Sequence, residues 1–364
     1  MEKNQVIQRM FTLLTRLGIG HDAQVDYNQF EHLTPYNWQA VQTLAEQQGL
    51  SAIVIDGIEL LPEALRPSKD FLLEWIGSVL QGEATYNNQK DVAIDMANLF
   101  HRNYIRTYVL KGYTIAECYP TPRHRVSSDL DCYLSPDNGD FDAWSLGNDL
   151  IKSKGFRVDT GFYKNSTFDL PGLFVENHKY LTPFRGNKRL TIFESVLQVL
   201  LNRDKGEDLF ENSWLYRPPV MVSALFLVEH AYSHFLHEGL TWRMVLDWMM
   251  FRKKHEDDIN WVEFDVFVDE FGFRRFFDAY SHLGSYFFGN LKKEELTKQE
   301  IRMLNDVWAP LDLHETTRGL KGKLALAGNT WRARWKYRCF TDISWITALW
   351  IQVRGFLFIQ NPQL

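Results

Sequence analysis

Cysteine is scarce in this chain. Cys118, Cys132 and Cys339 are the only three in 364 residues. They are scattered and odd in number, which excludes a disulfide framework and a cysteine-based metal spacing. A reducing compartment, the cytoplasm, is therefore expected. Positive charge is not in excess either. The formal net charge is −6, so the molecule as a whole has no pull toward nucleic acid. Apolar runs long enough to span a bilayer are lacking. The nearest, "ISWITALWIQVRGFLFI" close to the C-terminus, is broken by Gln352 and Arg354. The opening "MEKNQVIQRMFTLLTRLGIG" interrupts its apolar residues with Gln, Arg and Thr, and no small-residue cleavage site follows, so it does not read as a signal peptide. Aromatic residues, by contrast, are plentiful: 15% of the chain, with 12 Trp and 26 Phe. That points to deep helix packing or an aromatic-lined surface. The remaining balance, 45% hydrophobic and 24% charged, is that of an ordinary globular protein with room for two or three domains.

The pattern divides the chain into three parts, 1–100, 101–189 and 190–364. The first reads as helices: "NQVIQRMFTLLTRLG" and "YNWQAVQTLAEQQG" carry apolar residues at helical spacing and end on glycine, and 68–105 reads as one long helix or two joined ones. The middle part changes style. "RTYVLKG" is a short strand, "YTIAECY" a helix, "SDLDCYL" a strand and "DFDAWSLGNDLIKSKG" an amphipathic helix. "FRVDTGFY" and "LFVENHKYL" then read as a strand pair. From about 190 onward the pattern is helical again. The expected class is α+β: a small mixed-sheet core flanked by helical regions, with no internal repeat.

The strand "SDLDCYL" carries Asp129 and Asp131, although strands usually avoid aspartate. Side chains at i and i+2 share a strand face. The two carboxylates therefore project together, while Leu130 and Cys132 face a core. Adjacent carboxylates repel unless a cation lies between them. Magnesium suits the position, because it takes oxygen ligands from one or two carboxylates plus substrate phosphates. Such a pair can anchor two ions for an in-line phosphoryl displacement. By itself the pair would more often decorate a solvated edge strand, so its context decides. A strand runs through Lys111 into Gly112, where a helix begins, and Arg125 stands four residues before Asp129. A glycine turn at a helix start is a phosphate-binding arrangement. A third carboxylate would complete the site. Glu176, in "LFVENHKYL" with His178 on the same face, is the first candidate, and Asp159 and Asp169 compete with it.

These residues resemble the DNA polymerase β-like nucleotidyltransferase superfamily, which has a glycine turn at a helix start, an acidic-x-acidic pair on the next strand and a third acid on a later one. More closely, the chain is similar to a bacterial uncharacterised nucleotidyltransferase family, through "LKG" at 110–112, "RVSSDLDCYL" at 125–134, "VENH" at 175–178 and "HAYSHF…GLTWRMVLDW" over 230–248. The resemblance covers roughly residues 100–255. It implies transfer of a nucleoside monophosphate from an NTP, with ATP the expected nucleotide, to a hydroxyl acceptor, with pyrophosphate leaving and two Mg²⁺ ions assisting. By position, Asp129 and Asp131 match the metal-binding pair, Glu176 the third acid and Gly112 the phosphate turn. Lys111 and Arg125 would supply the phosphate contact that a serine after the glycine commonly gives, since Tyr113 follows here. Asn177 stands where an apolar strand residue is more usual. The alternatives are a nucleotide-binding regulatory or scaffold protein without turnover, and a membrane-surface module.

Two other features stand out. "VEHAYSHFLHEGLTWRMVLDW" places His230 and His234 on one helix face. Ala231 follows the first histidine where the zinc-protease form needs Glu, and no further ligand completes a zinc set. His234 is expected beside the cleft. Arg243 and Asp247, also four apart, are expected to pair in a helical core. Finally, 318–338 holds seven basic residues and no acidic one, interleaved with Trp331, Trp335 and Tyr337. A helix face packing its tryptophans inward accounts for this. Peripheral membrane contact through 318–358 is the next reading, and nucleic acid is disfavoured. Oligomeric state is not legible.

Overall fold

Apolar residues at three- and four-residue spacing fold the N-terminal part into four helices: α1 (Glu2–Gly18), α2 (Pro35–Gln47), α3 (Ser51–Glu59) and α4 (Lys69–His101). A computed structural model describes residues 2–21, 26–183, 187–237, 239–309, 331–347 and 350. Caps fix some of the helix starts. Thr34 closes a capping box with Asn37 ahead of α2. The stretch 68–105 is one helix, α4, of 33 residues.

The middle part follows in the order β1 (Ile105–Val109), α5 (Tyr113–Ala116), β2 (Asp129–Pro136), α6 (Ala143–Ser153), β3 (Val158–Asp159), β4 (Asn165–Leu170) and β5 (Leu173–His178). The expected strand over 156–163 shrinks to the two residues of β3. The hairpin partner of β5 is β4 instead. Leu170 pairs with Leu173 across a two-residue Pro171–Gly172 turn, with Gly172 at φ 77°. Proline followed by a positive-φ glycine closes such a turn readily. After α7 (Lys188–Arg203) the chain returns to the sheet as β6 (Glu207–Asp208) and β7 (Leu215–Arg217). A uniformly helical reading from 190 onward therefore misses two strands. Both are too short to show an alternating pattern.

The result is a seven-stranded mixed sheet in the order β3-β4-β5-β2-β1-β7-β6. Within it β2 runs antiparallel to β1 and parallel to β5. Its back face buries Leu130, Cys132 and Leu134 against Ala93, Met96, Ala97 and Phe100 of α4 and against Ala143 and Ile151 of α6. Helices α8 (Val220–His237), α9 (Trp242–Lys254), α10 (Trp261–Glu270), α11 (Arg274–Phe288) and α12 (Lys298–Trp308) follow. Together with α1–α3 and α7 they bury one aromatic-rich cluster, in which Phe11 meets Phe287 and Trp308 edge-on. The class is α+β, with helices on both sides of the sheet.

Much of the basic tail and of the 343–358 stretch lies outside the described residues. Within them, 331–340 is helical. It buries Ala333, Tyr337, Phe340 and Lys336, whose Nζ stands 2.6 Å from Asp306. Trp335 packs on the main cluster, while Trp331 stays 54% exposed. Among the described residues no helix is long and apolar enough to cross a membrane.

Candidate active site

Alternation on β2 and β5 places the acids. Asp129 and Asp131 lie on the sheet face opposite Leu130 and Cys132, and the parallel register sets Asp131 beside Glu176 and Tyr133 beside His178. Asp131, Glu176 and His178 form a group whose ligand atoms all lie within 4.8 Å of one another. Asp129 stands outside that group. It is tied to Asp131 through Lys111, whose Nζ is 3.0 Å from Asp131 Oδ2 and 3.6 Å from Asp129 Oδ2. His178 Nε2 lies 3.0 Å from Asp131 Oδ1 and 3.7 Å from Glu176 Oε2, and Asn165 Nδ2 donates to Glu176 Oε2 at 3.0 Å.

The environment separates these groups electrically. Burial would raise the Asp131 carboxyl, but the Lys111 charge and the His178 hydrogen bond outweigh it and hold Asp131 well below the usual carboxylate range. Glu176 goes the other way, raised by burial and by the charges of Asp131 and Asp129. His178 is lowered by burial and then by Lys164, so the ring is neutral. A neutral ring whose Nε2 donates to Asp131 Oδ1 leaves Oδ2 as the carboxylate's outward oxygen. That atom is buried, and the Lys111 ammonium at 3.0 Å is its partner. A buried carboxylate oxygen that holds a cation beside a second carboxyl suits a divalent cation as well.

Gly112 sits at φ 66° and ψ −108°, a backbone conformation that favours glycine, and a Cβ there would lie 3.2 Å from Ser127 Oγ. Tyr113 turns its side chain away, its hydroxyl donating to Tyr86 O at 3.0 Å. The hydroxyl beside the turn is therefore that of Ser127, from the loop before β2. A cleft of about 220 Å³ adjoins it, lined by Gly112, Arg125, Val126 and Ser127 and by one face of α4 including Gln81 and Tyr86.

Arg125 is not a free phosphate contact. Its guanidinium is buried in a two-pronged pair with Asp247, Nε to Oδ1 at 3.1 Å and Nη2 to Oδ2 at 2.6 Å, and Tyr119 OH donates to the same Oδ1 at 2.8 Å. The pairing expected between Arg243 and Asp247 is thus corrected. Arg243 Nη1 reaches Val126 O at 3.2 Å instead. The flat guanidinium of Arg125 meets the carboxylate edge on with both prongs, which a partner one turn away on the same helix does not match here.

Two groups were missed or underweighted. His230 of α8 feels the site. Its ring stacks on Phe226 with centroids 5.7 Å apart, and burial and then Lys111 push it well below the usual histidine range. Lys164, in the turn before β4, acts electrostatically on Glu176, His178 and His230, and forms no ion pair within 4 Å among the described residues. Its backbone oxygen accepts from Lys179 N and Tyr180 N, which fixes it at the end of β5. Its position depends on the β4–β5 hairpin, so spacing alone does not reveal it. The competing acids lie elsewhere. Asp159 is exposed on edge strand β3, and Asp169 is exposed opposite Phe174. Glu229 on α8 is buried, and that burial, reinforced by Glu194, pushes its carboxyl up to about 7.

A family model described as uncharacterised nucleotidyltransferase matches residues 34–289. No curated protein and no solved structure matches the chain.

Proposed function

This chain belongs to the uncharacterised nucleotidyltransferase family, and from that premise we propose that it transfers a nucleoside monophosphate from an NTP to a hydroxyl acceptor by in-line displacement, releasing pyrophosphate. The observation that supports this reading is the convergence of Asp131, Glu176 and His178 beside Asp129 and Lys111 on one sheet face. Asp129, Asp131 and Glu176 are the residues that would hold Mg²⁺, two ions in this reading. When bound, such ions neutralise phosphate charge and make the acceptor hydroxyl easier to deprotonate.

The chain's own groups supply the rest. His178 holds Asp131 by its Oδ1 and so points Oδ2 outward. Glu176, made a stronger base by burial and by the charges of Asp131 and Asp129, accepts the proton of the attacking hydroxyl. The Gly112 turn, Ser127, Lys111 and Lys164 receive the triphosphate. Arg125 acts through Asp247, fixing the loop that carries Ser127, and is a positioning residue. The acceptor remains a small molecule, sugar, peptide or protein hydroxyl. The same reading places the protein in the cytoplasm, where its three unpaired thiols are kept reduced.

The test is pyrophosphate release with Mg²⁺ and ATP first, then the other NTPs, using a cell extract as the acceptor source and mass spectrometry to find the modified product. Asp131→Asn should abolish both signals. Equal pyrophosphate release from the wild type and that variant would sink the reading.

A further inference from the structure

The two aspartates of β2 are joined by a cation that belongs to the chain. Lys111 Nζ is within 3.0 Å of Asp131 Oδ2 and 3.6 Å of Asp129 Oδ2, and its side chain is 17% exposed. Asp131 is almost wholly buried, with Oδ1 taken by His178 and Oδ2 by Lys111. A divalent ion bridging the two carboxylates needs the same oxygens. An ammonium and a metal ion cannot occupy one position, because like charges at that separation repel strongly in a partly buried site.

Where Lys111 would go is also set by the chain. It directly precedes Gly112, so its backbone is part of the turn proposed to receive the triphosphate. Lysine is a point charge on a flexible four-carbon stem, able to leave one anion for another nearby.

We propose that Lys111 competes with the divalent ion for Asp129 and Asp131, and that the substrate triphosphate draws it away, so that metal and nucleotide load together. This rests on the metal and nucleotide reading above. Loading is then cooperative in both directions, since coupling between two binding events is reciprocal. Metal alone meets a site already neutralised by Lys111, and triphosphate alone meets a lysine already held by two carboxylates. Each ligand releases what the other requires.

The experiment is a Mn²⁺ titration of the full chain, with free ion followed by electron paramagnetic resonance. It is run with the metal alone and then with a non-hydrolysable α,β-methylene analogue of ATP. Lys111→Met should bind Mn²⁺ alone about tenfold more tightly than the wild type, a shift within the usual range of site coupling. It should bind the metal–nucleotide complex more weakly. Lys164→Met removes a like charge that acts on Glu176 and His178 without pairing with the aspartates, and should change binding of the metal alone much less.

Opposite signs for Lys111→Met, with and without nucleotide, are what competition requires. A variant that merely damages the fold weakens both, and Lys111→Gln, which keeps a polar side chain, must reproduce the split. Equal effects of Lys111→Met and Lys164→Met would overturn the proposal. So would unchanged or weaker binding of the metal alone. If Asp131→Asn abolishes Mn²⁺ binding while Lys111→Met leaves it unchanged, this inference fails and the metal site stands. If neither the wild type nor Lys111→Met binds Mn²⁺, the metal-site reading fails with it.

Discussion

Two cations of this protein lie against aspartates near the Gly112 turn, and they are held in opposite ways. Arg125 meets Asp247 with two aligned prongs, and Tyr119 adds a third hydrogen bond to the same carboxylate. Lys111 is shared between Asp129 and Asp131, at 3.6 and 3.0 Å, without the two-pronged fit of a guanidinium. Both cations sit in confined surroundings, with side-chain exposures of 5% for Arg125 and 17% for Lys111. The difference is in fit. A buried pair with its hydrogen bonds satisfied locks a loop to a helix. A lysine shared between two carboxylates can be drawn to another partner, and such places are where ligands bind. The first joins the loop before β2 to α9. The second adjoins the Gly112 turn.

The comparison is broken most decisively at Asp131. Asp131→Asn should lower kcat/KM by about a thousandfold or more, the scale of losing several kcal/mol of metal-assisted charge stabilisation. Its unfolding midpoint in urea should also fall, because Lys111 and His178 lose the buried carboxylate they hold well below its usual range, so turnover is compared per folded molecule. Asp247→Ala should act on the fold and leave the metal site alone. It leaves Arg125 buried without its carboxylate and should destabilise the fold by about 3–5 kcal/mol. Mn²⁺ affinity of the folded fraction should be unchanged. If Asp247→Ala weakened metal binding without a stability loss, the two pairs would not be separate in function. Tyr119→Phe is the milder version. It removes one of the three hydrogen bonds on Asp247 while the guanidinium keeps its two, so about 1 kcal/mol of stability should go. Turnover should stay.

What the amino-acid pattern could show follows from which interactions are local. Asp129 and Asp131 are legible because strand period two puts them together and turns Leu130 and Cys132 to the core. Glu176 and His178 are legible as a pair for the same reason. That His178 belongs to Asp131 is not legible, since it depends on the parallel pairing of β2 with β5, through Asp131↔Glu176 and Tyr133↔His178. The odd Asn177 is explained only in three dimensions. It is fully buried, and its amide donates to Asn148 of α6 at 3.0 Å, where Ser166 also bonds. Spacing misled at Asp247, because Arg243 one turn away is visible in the sequence and Arg125, 122 residues distant, is not. β7, three residues long, pairs in parallel with β1 through Leu215 and Tyr216 and was missed for a similar reason, as no alternation can show in so short a run.

A third contact on the same loop sharpens the contrast, because it titrates where the Arg125 lock does not. His124 Nδ1 lies 2.7 Å from Asp56 Oδ2 and Nε2 lies 2.7 Å from Glu83 Oε1, which also pairs with Arg123 at 2.7 Å. Both ring nitrogens can donate only when the imidazole is protonated. Burial would lower this histidine, but the hydrogen bonds and charges of Asp56 and Glu83 outweigh it and raise it above its ordinary 6.5. Glu83 is lowered from its ordinary 4.5, burial notwithstanding, by His124 and Arg123. A raised histidine contributes in full below its unfolded value and loses that contribution as pH climbs through the folded value. A lowered carboxylate contributes above its unfolded value and loses it as pH falls through the folded one. The clamp between this loop, α3 and α4 is therefore strongest between pH 4.5 and 6.5. Urea midpoints at pH 6 and pH 9 should fall further in the wild type than in His124→Gln, by less than about 1 kcal/mol, the scale of a partly exposed pair. Parallel curves for the two proteins would mean that the loop is held by Arg125 alone.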